Sequence, residues 1–567
     1  IAALFMLADD TLVRALEAIS LVERAGSAWN SPMPMILKTV LALGAVIYLC
    51  QLLVNTNRHF MSYAARVVAG IVGVLLLLRL ISVVGVHFGA DVTLLAGYHD
   101  MLSGFAEALD PSQVVSLRDY DIGTVSVGIV IALIALMMTG MPLGVVTLIV
   151  SIICALLFFG PRGLYLVSTN AFGLLENYPL VAVPLFVLMA SLLEKAGIAE
   201  DLFDAMSIFA GKLRGGVAVQ TVIVAVVMAA MSGIMGGEIV MLGLVALPQM
   251  LRLGYDRKLS IGTICASGSL ATLIPPSIVM IVYGLSAQVS IGDLFMAGAI
   301  PGLMLALFYI VFVLIRCAIN PSLTPTAEEA AARKGEQATL SSNRLAAVGL
   351  SILLIACVMG SIYAGIASVT EAAGVGVFGA IVIAAVRFRF DWTMLQNALA
   401  QTMTTVGTII WLILGAVSFV GIYNLIGGGD FMRSLFSGLD LPPLGIIFVM
   451  MAVLMVLGTF MEWIAILFIT VPIFAPVVVG MAPELGLEPE WAAVWFGVLF
   501  VMNIQIYFLS PPFGPACFWL KSVAPKDVTL QEIFVAVLPF IGLQIIGLMM
   551  VLFFPEIALW LPKFLNG

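Results

Sequence analysis

The stretch SGSLATLIPPS, Ser267–Ser277, decides the fold. It sits between apolar runs that read as membrane helix, yet two adjacent prolines interrupt it. Inside hydrocarbon every backbone N–H and C=O must find a partner within its own segment. Proline removes a donor and disrupts the turn before it, so two in succession leave carbonyls unpaired for about one turn. Such a break is tolerated only against protein or a water-filled cavity. The stretch therefore reads as a broken helix inside a larger membrane body.

The rest of the chain agrees. Of 567 residues, 62% are hydrophobic and only 10% are charged, where a soluble domain carries about 25% charged residues. The clearest apolar runs are Ile36–Val54, Val67–Val86, Ile122–Met138, Val217–Met231, Leu303–Ile315, Leu345–Ile362, Ile446–Leu457 and Ile541–Phe554. A spanning helix needs about 20 residues, so some runs suffice alone and others need their flanks. None alternates as barrel strands do, and the expected fold is an all-α polytopic membrane protein. The net charge of −8 gives no basic excess, so no nucleic acid partner is expected. Cys50, Cys154, Cys265, Cys317, Cys357 and Cys517 are scattered without a CxxC, and His59, His87 and His99 have no ligand-like spacing.

Four segments follow. Residues 1–120 form a first block with two spans. The chain starts at Ile1, which fits either a helix whose beginning is missing or a processed start. Residues 121–319 form one half of the body, and 320–344 a polar connecting loop, NPSLTPTAEEAAARKGEQATLSSNR. Residues 345–567 form the other half.

The two halves carry the same ordered signals. Glu238 follows glycines and precedes Pro248 by ten residues; Glu462 follows Gly458 and precedes Pro472 by ten. Downstream stand LIPPSI, with Pro275–Pro276, and LSPPFG, with Pro511–Pro512. Glycine, glutamate, proline and then a Pro-Pro break thus occur once per half, which indicates a duplicated unit of the kind transporters use. Pro442–Pro443 precedes its glutamate and reads instead as a helix start.

A break of this kind leaves carbonyl oxygens and half-helix ends. A hard cation such as Na+ takes oxygen ligands from unwound carbonyls and hydroxyls, and half-helix N-termini face anionic groups. The candidates are Ser232, Gly233, Gly268, Ser269, Thr272, Pro275 and Ser277 in the first half, and Gly458, Thr459, Asn503, Ser510, Pro511 and Gly514 in the second. A plain kink, with Ser and Thr bonded to their own helix, is the competing reading. Glu238 and Glu462 are carboxylates in apolar surroundings. Each is either functional or a hairpin-tip residue bonded to backbone or water. Two patterns mislead. GVGVFG, Gly374–Gly379, matches a dinucleotide fingerprint but has no strand before it. Gly233 and Gly237 form a GxxxG, which allows close helix packing. GYDRK, Gly254–Lys258, reads as a charged surface turn.

SGIMGGEIVMLGLVALPQMLRLGYDRKLSIGTICASGSLATLIPPSIVMIVYG resembles the DctM-type large membrane subunit of tripartite ATP-independent periplasmic (TRAP) transporters. SIGDLFMAGAIPGL, SVTEAAGVGVFGA and FFPEIALWLP extend the resemblance over about residues 118–562. WNSPMPMILKTVLALGAVIYLCQLL is similar to the end of the small, DctQ-type subunit, which suggests a fused small–large chain whose small part is short. The resemblance implies an elevator mechanism in the bacterial cytoplasmic (inner) membrane. It implies Na+ as coupling ion, no other cofactor, and an organic acid delivered by a periplasmic DctP-type binding protein. It also leaves room for a separate DctQ-type subunit. It places Met231–Glu238 and Gly458–Glu462 at two hairpin tips, and LIPPS and LSPPFG at two broken helices. Where many members have SGSS at the first tip, this chain has SGIM, which shifts ligation there toward Ser232, Gly233 and backbone atoms.

The leading expectation is Na+-coupled uptake of a small organic carboxylate. A Na+/dicarboxylate-type carrier working without a binding protein is the alternative, and an intramembrane enzyme a distant one. No HExxH, no nucleophile–base pair and no His in the body supports the enzyme.

Overall fold

Short polar residues start several of the helices. Asp121, Asp256, Ser290 and Thr529 each accept a hydrogen bond from a first-turn backbone N–H. Ser368 and Glu371 form a reciprocal capping box. These groups satisfy donors that a helix start otherwise leaves open. The computed structural model describes residues 120–139, 141–210, 214–233, 235–325, 342–438, 441–459, 461–512 and 514–566. The small-subunit-like block lies outside the described residues, as does most of the polar loop.

Among the described residues the chain forms two compact units, 120–177 with Leu412–Phe431, and Tyr178–Trp411 with Met432–Gly567. The first unit holds α1 (Ile122–Met138), α2 (Leu143–Phe159) and α3 (Gly163–Leu175). The second opens with α4 (Ala182–Lys195) and α5 (Ile198–Ala210). Then come α6 (Gly216–Ser232), α7 (Met235–Leu253), α8 (Arg257–Ser269), α9 (Ile278–Ala287) and α10 (Ile291–Ile319). α11 (Ser342–Tyr363) and α12 (Val369–Val386) lead to α13 (Trp392–Leu425), whose C-terminal part belongs to the first unit. α14 (Gly428–Ser437) precedes α15 (Pro443–Gly458), α16 (Trp463–Gly480), α17 (Pro489–Leu509), α18 (Pro515–Val523), α19 (Leu530–Phe553) and α20 (Glu556–Asn566). Eight helices among the described residues are long and apolar enough to cross a membrane.

The order helix hairpin, broken helix, long helix occurs twice: α6–α7, α8–α9, α10, and α15–α16, α17–α18, α19. The packing is reciprocal. α9 packs on α16 as α18 packs on α7, and α8 packs on α19 as α17 packs on α10. Crossed contacts of this kind are what two related copies make around a shared axis. α17 is the most enclosed element, with every residue from Ala492 to Leu509 buried. Pro443 begins α15, as its pairing with Pro442 suggested.

One decoy resolves into packing and the other does not. GVGVFG lies within α12, where Gly376 meets Met189 of α4 and Gly379 meets Leu354 of α11. GxxxG at Gly233 and Gly237 is corrected: Gly233 sits in a left-handed turn between helices, and Gly237 has no atom within 4 Å of where a Cβ would stand. GYDRK is a turn, with Gly254 at φ 90° and Asp256 capping α8.

One buried ion pair ties α5 to the end of α12. Arg387 donates through Nε and Nη2 to both carboxylate oxygens of Asp201, the Nη2 bond being 2.7 Å. The Asp201 side chain is fully buried and that of Arg387 is 9% exposed.

Candidate functional site

The first break is a packed structure, and its hydroxyls are occupied locally. α8 ends at Ser269, one 3-10 turn covers Leu270–Thr272, and α9 starts after Ser277. Gly268, Ser269, Thr272, Pro275 and Ser277 are all buried. Ser269 Oγ donates to the Ala266 carbonyl at 2.7 Å, and Thr272 Oγ1 to the Ser269 carbonyl at 3.0 Å. Ser277 Oγ donates across the break to the Thr272 carbonyl and accepts from Met280 N at 3.4 Å, so one hydroxyl both caps α9 and closes the gap. Gly268 is small because Ile239 of α7 fills the place of its side chain.

The first hairpin tip rests on this break. Gly233 ends α6 at φ 60°, and a Cβ there would run into the Pro276 carbonyl oxygen. Ser232 Oγ hydrogen-bonds Glu238 Oε1. Glu238 is 1% exposed, and its Oε2 has no hydrogen-bond partner. It is therefore neither water-facing nor bonded to a backbone N–H.

Sequence reasoning missed two amides that seal the break from outside. Gln505 of α17 donates to the Ser269 carbonyl at 3.1 Å and to Thr272 Oγ1 at 3.2 Å. Gln544 of α19 donates to Ser269 Oγ at 3.0 Å. Both belong to the second repeat, and the Oε1 atom of each is buried without a partner. Their sequence signal was an uncharged amide alone in an apolar span, the polar glue of membrane helices.

The second break differs. Ser510 Oγ donates to the Ile506 carbonyl at 2.7 Å. Pro511 and Pro512 are exposed, and Gly514 turns the chain at φ 34°. Both Pro-Pro bonds are cis. The second hairpin tip meets α17: the ring of Tyr507 occupies the place of a Gly458 side chain. Thr459 Oγ1 donates to Val456 at 2.7 Å, and Glu462, half-buried, stands before α16 without capping it through its side chain. Asn503 Nδ2 donates to the Met451 carbonyl of α15 at 2.9 Å. Tyr507 stacks on Phe508, whose ring meets that of Trp519 of α18 at a tilt, and Trp519 packs on Gly236 of α7. The first-half candidates thus gather at one place, and Gln505 and Gln544 join it to the second half. Ser510, Pro511 and Gly514 gather at the end of α17.

Orphaned buried amide oxygens and break carbonyls are oxygen ligands, and an unpaired buried acceptor calls for an ion or water.

Two helix hairpins, each followed by a broken helix in a polytopic helical body, define a membrane carrier. The chain belongs to the family of the tripartite ATP-independent periplasmic transporter, DctM component, whose family model matches residues 130–557. It is 31% identical over 414 residues to the C4-dicarboxylate TRAP transporter large permease protein DctM of Pseudomonas aeruginosa, covering 72% of this chain and 92% of that one. It is 28% identical to the sialic acid TRAP transporter large permease protein SiaM of Vibrio cholerae, covering 78% and 99%. Among solved structures, the Alcanivorax borkumensis YdaH transporter shares the fold, with a TM-score of 0.52 and 15% identity over 71% of this chain and 89% of that one. The chain is a transporter permease of the bacterial inner membrane and not an enzyme.

Proposed function

We propose that this permease takes up a small organic carboxylate together with Na+, receiving it from a periplasmic DctP-type binding protein and working with a DctQ-type small subunit. The two hairpins and two broken helices move as an elevator, and the candidate residues of both halves hold ion and substrate. The relatives are named for C4-dicarboxylate and for sialic acid, which supports an acidic substrate. The observation that carries the reading is the α8–α9 break, buried, small-residue-lined and held by the side-chain amides of Gln505 and Gln544 from the other repeat, whose oxygens are buried without a partner. Inward Na+ movement supplies about 2.3 kcal/mol per 100 mV per ion, beyond its concentration term.

Ser277→Ala removes the hydroxyl that spans the break, and Gln505→Leu removes one orphaned oxygen. Each is expected to raise the half-saturating Na+ concentration of uptake about fivefold, the worth of one polar contact near 1 kcal/mol. The measurement is initial uptake rate against Na+ in proteoliposomes. Unchanged Na+ dependence in both variants would remove the ion from this break.

A further inference from the structure

A cavity of about 140 Å³ lies against the first hairpin. Its wall includes Ser232 and Glu238 from the hairpin, Ser191 and Glu194 from α4, and Gln401 and Thr405 from α13. A buried space needs only about 10–15 Å³ to admit one water, so this one accepts a group of several atoms. None of the break residues from Gly268 to Ser277 lines it, so it is distinct from the α8–α9 break, though Ser232 of the hairpin tip borders it.

Its charge is one-sided. Two carboxylates face it, and its described lining contains no Lys, Arg or His. Glu194 Oε2 accepts from Gln401 Nε2 at 3.1 Å. Lys195 stands 3.9 Å from Glu194 Oε1, with side chains 38% and 30% exposed, a distance and exposure at which water screens the pair. Glu238, buried and with Oε2 unpartnered, has no such cation beside it on this wall. A buried anionic oxygen without a counter-charge is unfavourable unless a proton or another positive group reaches it. The hydroxyls of Ser191 and Ser232 and the Gln401 amide are neutral groups that orient such a guest without repelling it.

We propose that this cavity receives a monovalent positively charged group between Glu194 and Glu238. Two sources supply that chemistry: an ammonium or amidinium on the transported molecule, or an inorganic cation. In the first case the cargo is a zwitterionic acid, its carboxylate facing the half-helix ends and its nitrogen this cavity. The proposal deepens the carrier reading and rests on it for the role of the hairpin tip.

The test uses the full chain in nanodiscs, with the thermal unfolding midpoint followed during titration with methylammonium chloride or NaCl at ionic strength fixed by tetrapropylammonium chloride, whose cation is too bulky for the cavity. A saturable rise in the midpoint is expected with at least one of them. Glu194→Gln and Glu238→Gln should weaken the methylammonium response, and the part of the Na+ response that Ser277→Ala leaves in place, at least tenfold. A methylammonium response assigns the site to the cargo's nitrogen, and a response to Na+ alone assigns it to an inorganic cation. No saturable response to methylammonium and none to Na+ in the Ser277→Ala background, or a response there that Glu194→Gln leaves intact, overturns the proposal. Glu194 is partly exposed, so its variant keeps the test decisive even where Glu238→Gln does not fold. Uptake that ignores Na+ while the glutamate-dependent response persists would reject the Na+-coupled reading and leave this site standing.

Discussion

Gly233→Val is expected to cut uptake at least about tenfold, which corresponds to about 1.4 kcal/mol. Gly233 closes α6 with its N–H on the Ala229 carbonyl at 3.1 Å and holds φ at 60°. A left-handed backbone costs an L-residue about 1–2 kcal/mol, and a β-branched side chain fits it worst. The added Cβ also collides with the carbonyl oxygen of Pro276, which belongs to the break and has no soft side chain to yield. The substitution therefore either lifts the hairpin tip from the α8–α9 break or distorts the break itself. Gly542→Ala, in α19 with nothing within 4 Å of the new methyl, is the matched control and should transport normally. Initial uptake rates of the two variants at equal membrane abundance decide it. Equal rates would detach the tip from the transport step.

Arg387→Met is expected to destabilise the protein by about 3–5 kcal/mol, the usual cost of removing one member of a buried pair. Asp201 is fully buried and bonded through both carboxylate oxygens to Arg387, so the substitution takes away a bidentate cation and leaves its carboxylate in place. Replacing both, Asp201→Asn with Arg387→Met, should recover about half of that loss or more, because no buried charge is left behind. The readout is a thermal unfolding midpoint in detergent for the two variants against wild type. A single variant as stable as wild type would mean that the pair is solvated in the membrane-embedded protein.

The repeat was legible because its marks are local chemistry. A Pro-Pro pair forbids a continuous helix wherever it falls, and the glutamates kept their spacing to proline. The capping signal at Asp256 lay in the same turn that GYDRK announced. The amides of Gln505 and Gln544 were not legible as partners of the break. Each is 233 or more residues from the group it bonds, and nothing in a single apolar run says which neighbour it meets. The Arg387–Asp201 pair is hidden in the same way, with 186 residues between its members. Glu238 carried a clear signal, a carboxylate among apolar residues, but its partner Ser232 and its place on a cavity wall required the hairpin to be closed. The unequal exposure of the breaks was also invisible, since SPP and IPPS look alike as text while one is buried and the other lies open.

The most direct test of the account is uptake into proteoliposomes holding this chain and its small subunit. The substrate is first identified by a ligand screen of the binding protein encoded beside the chain. An inward Na+ gradient with the loaded binding protein outside should drive accumulation. Replacing Na+ with K+, or omitting the binding protein, should abolish it. Equal accumulation in K+, or full uptake of free substrate without the binding protein, would contradict the account.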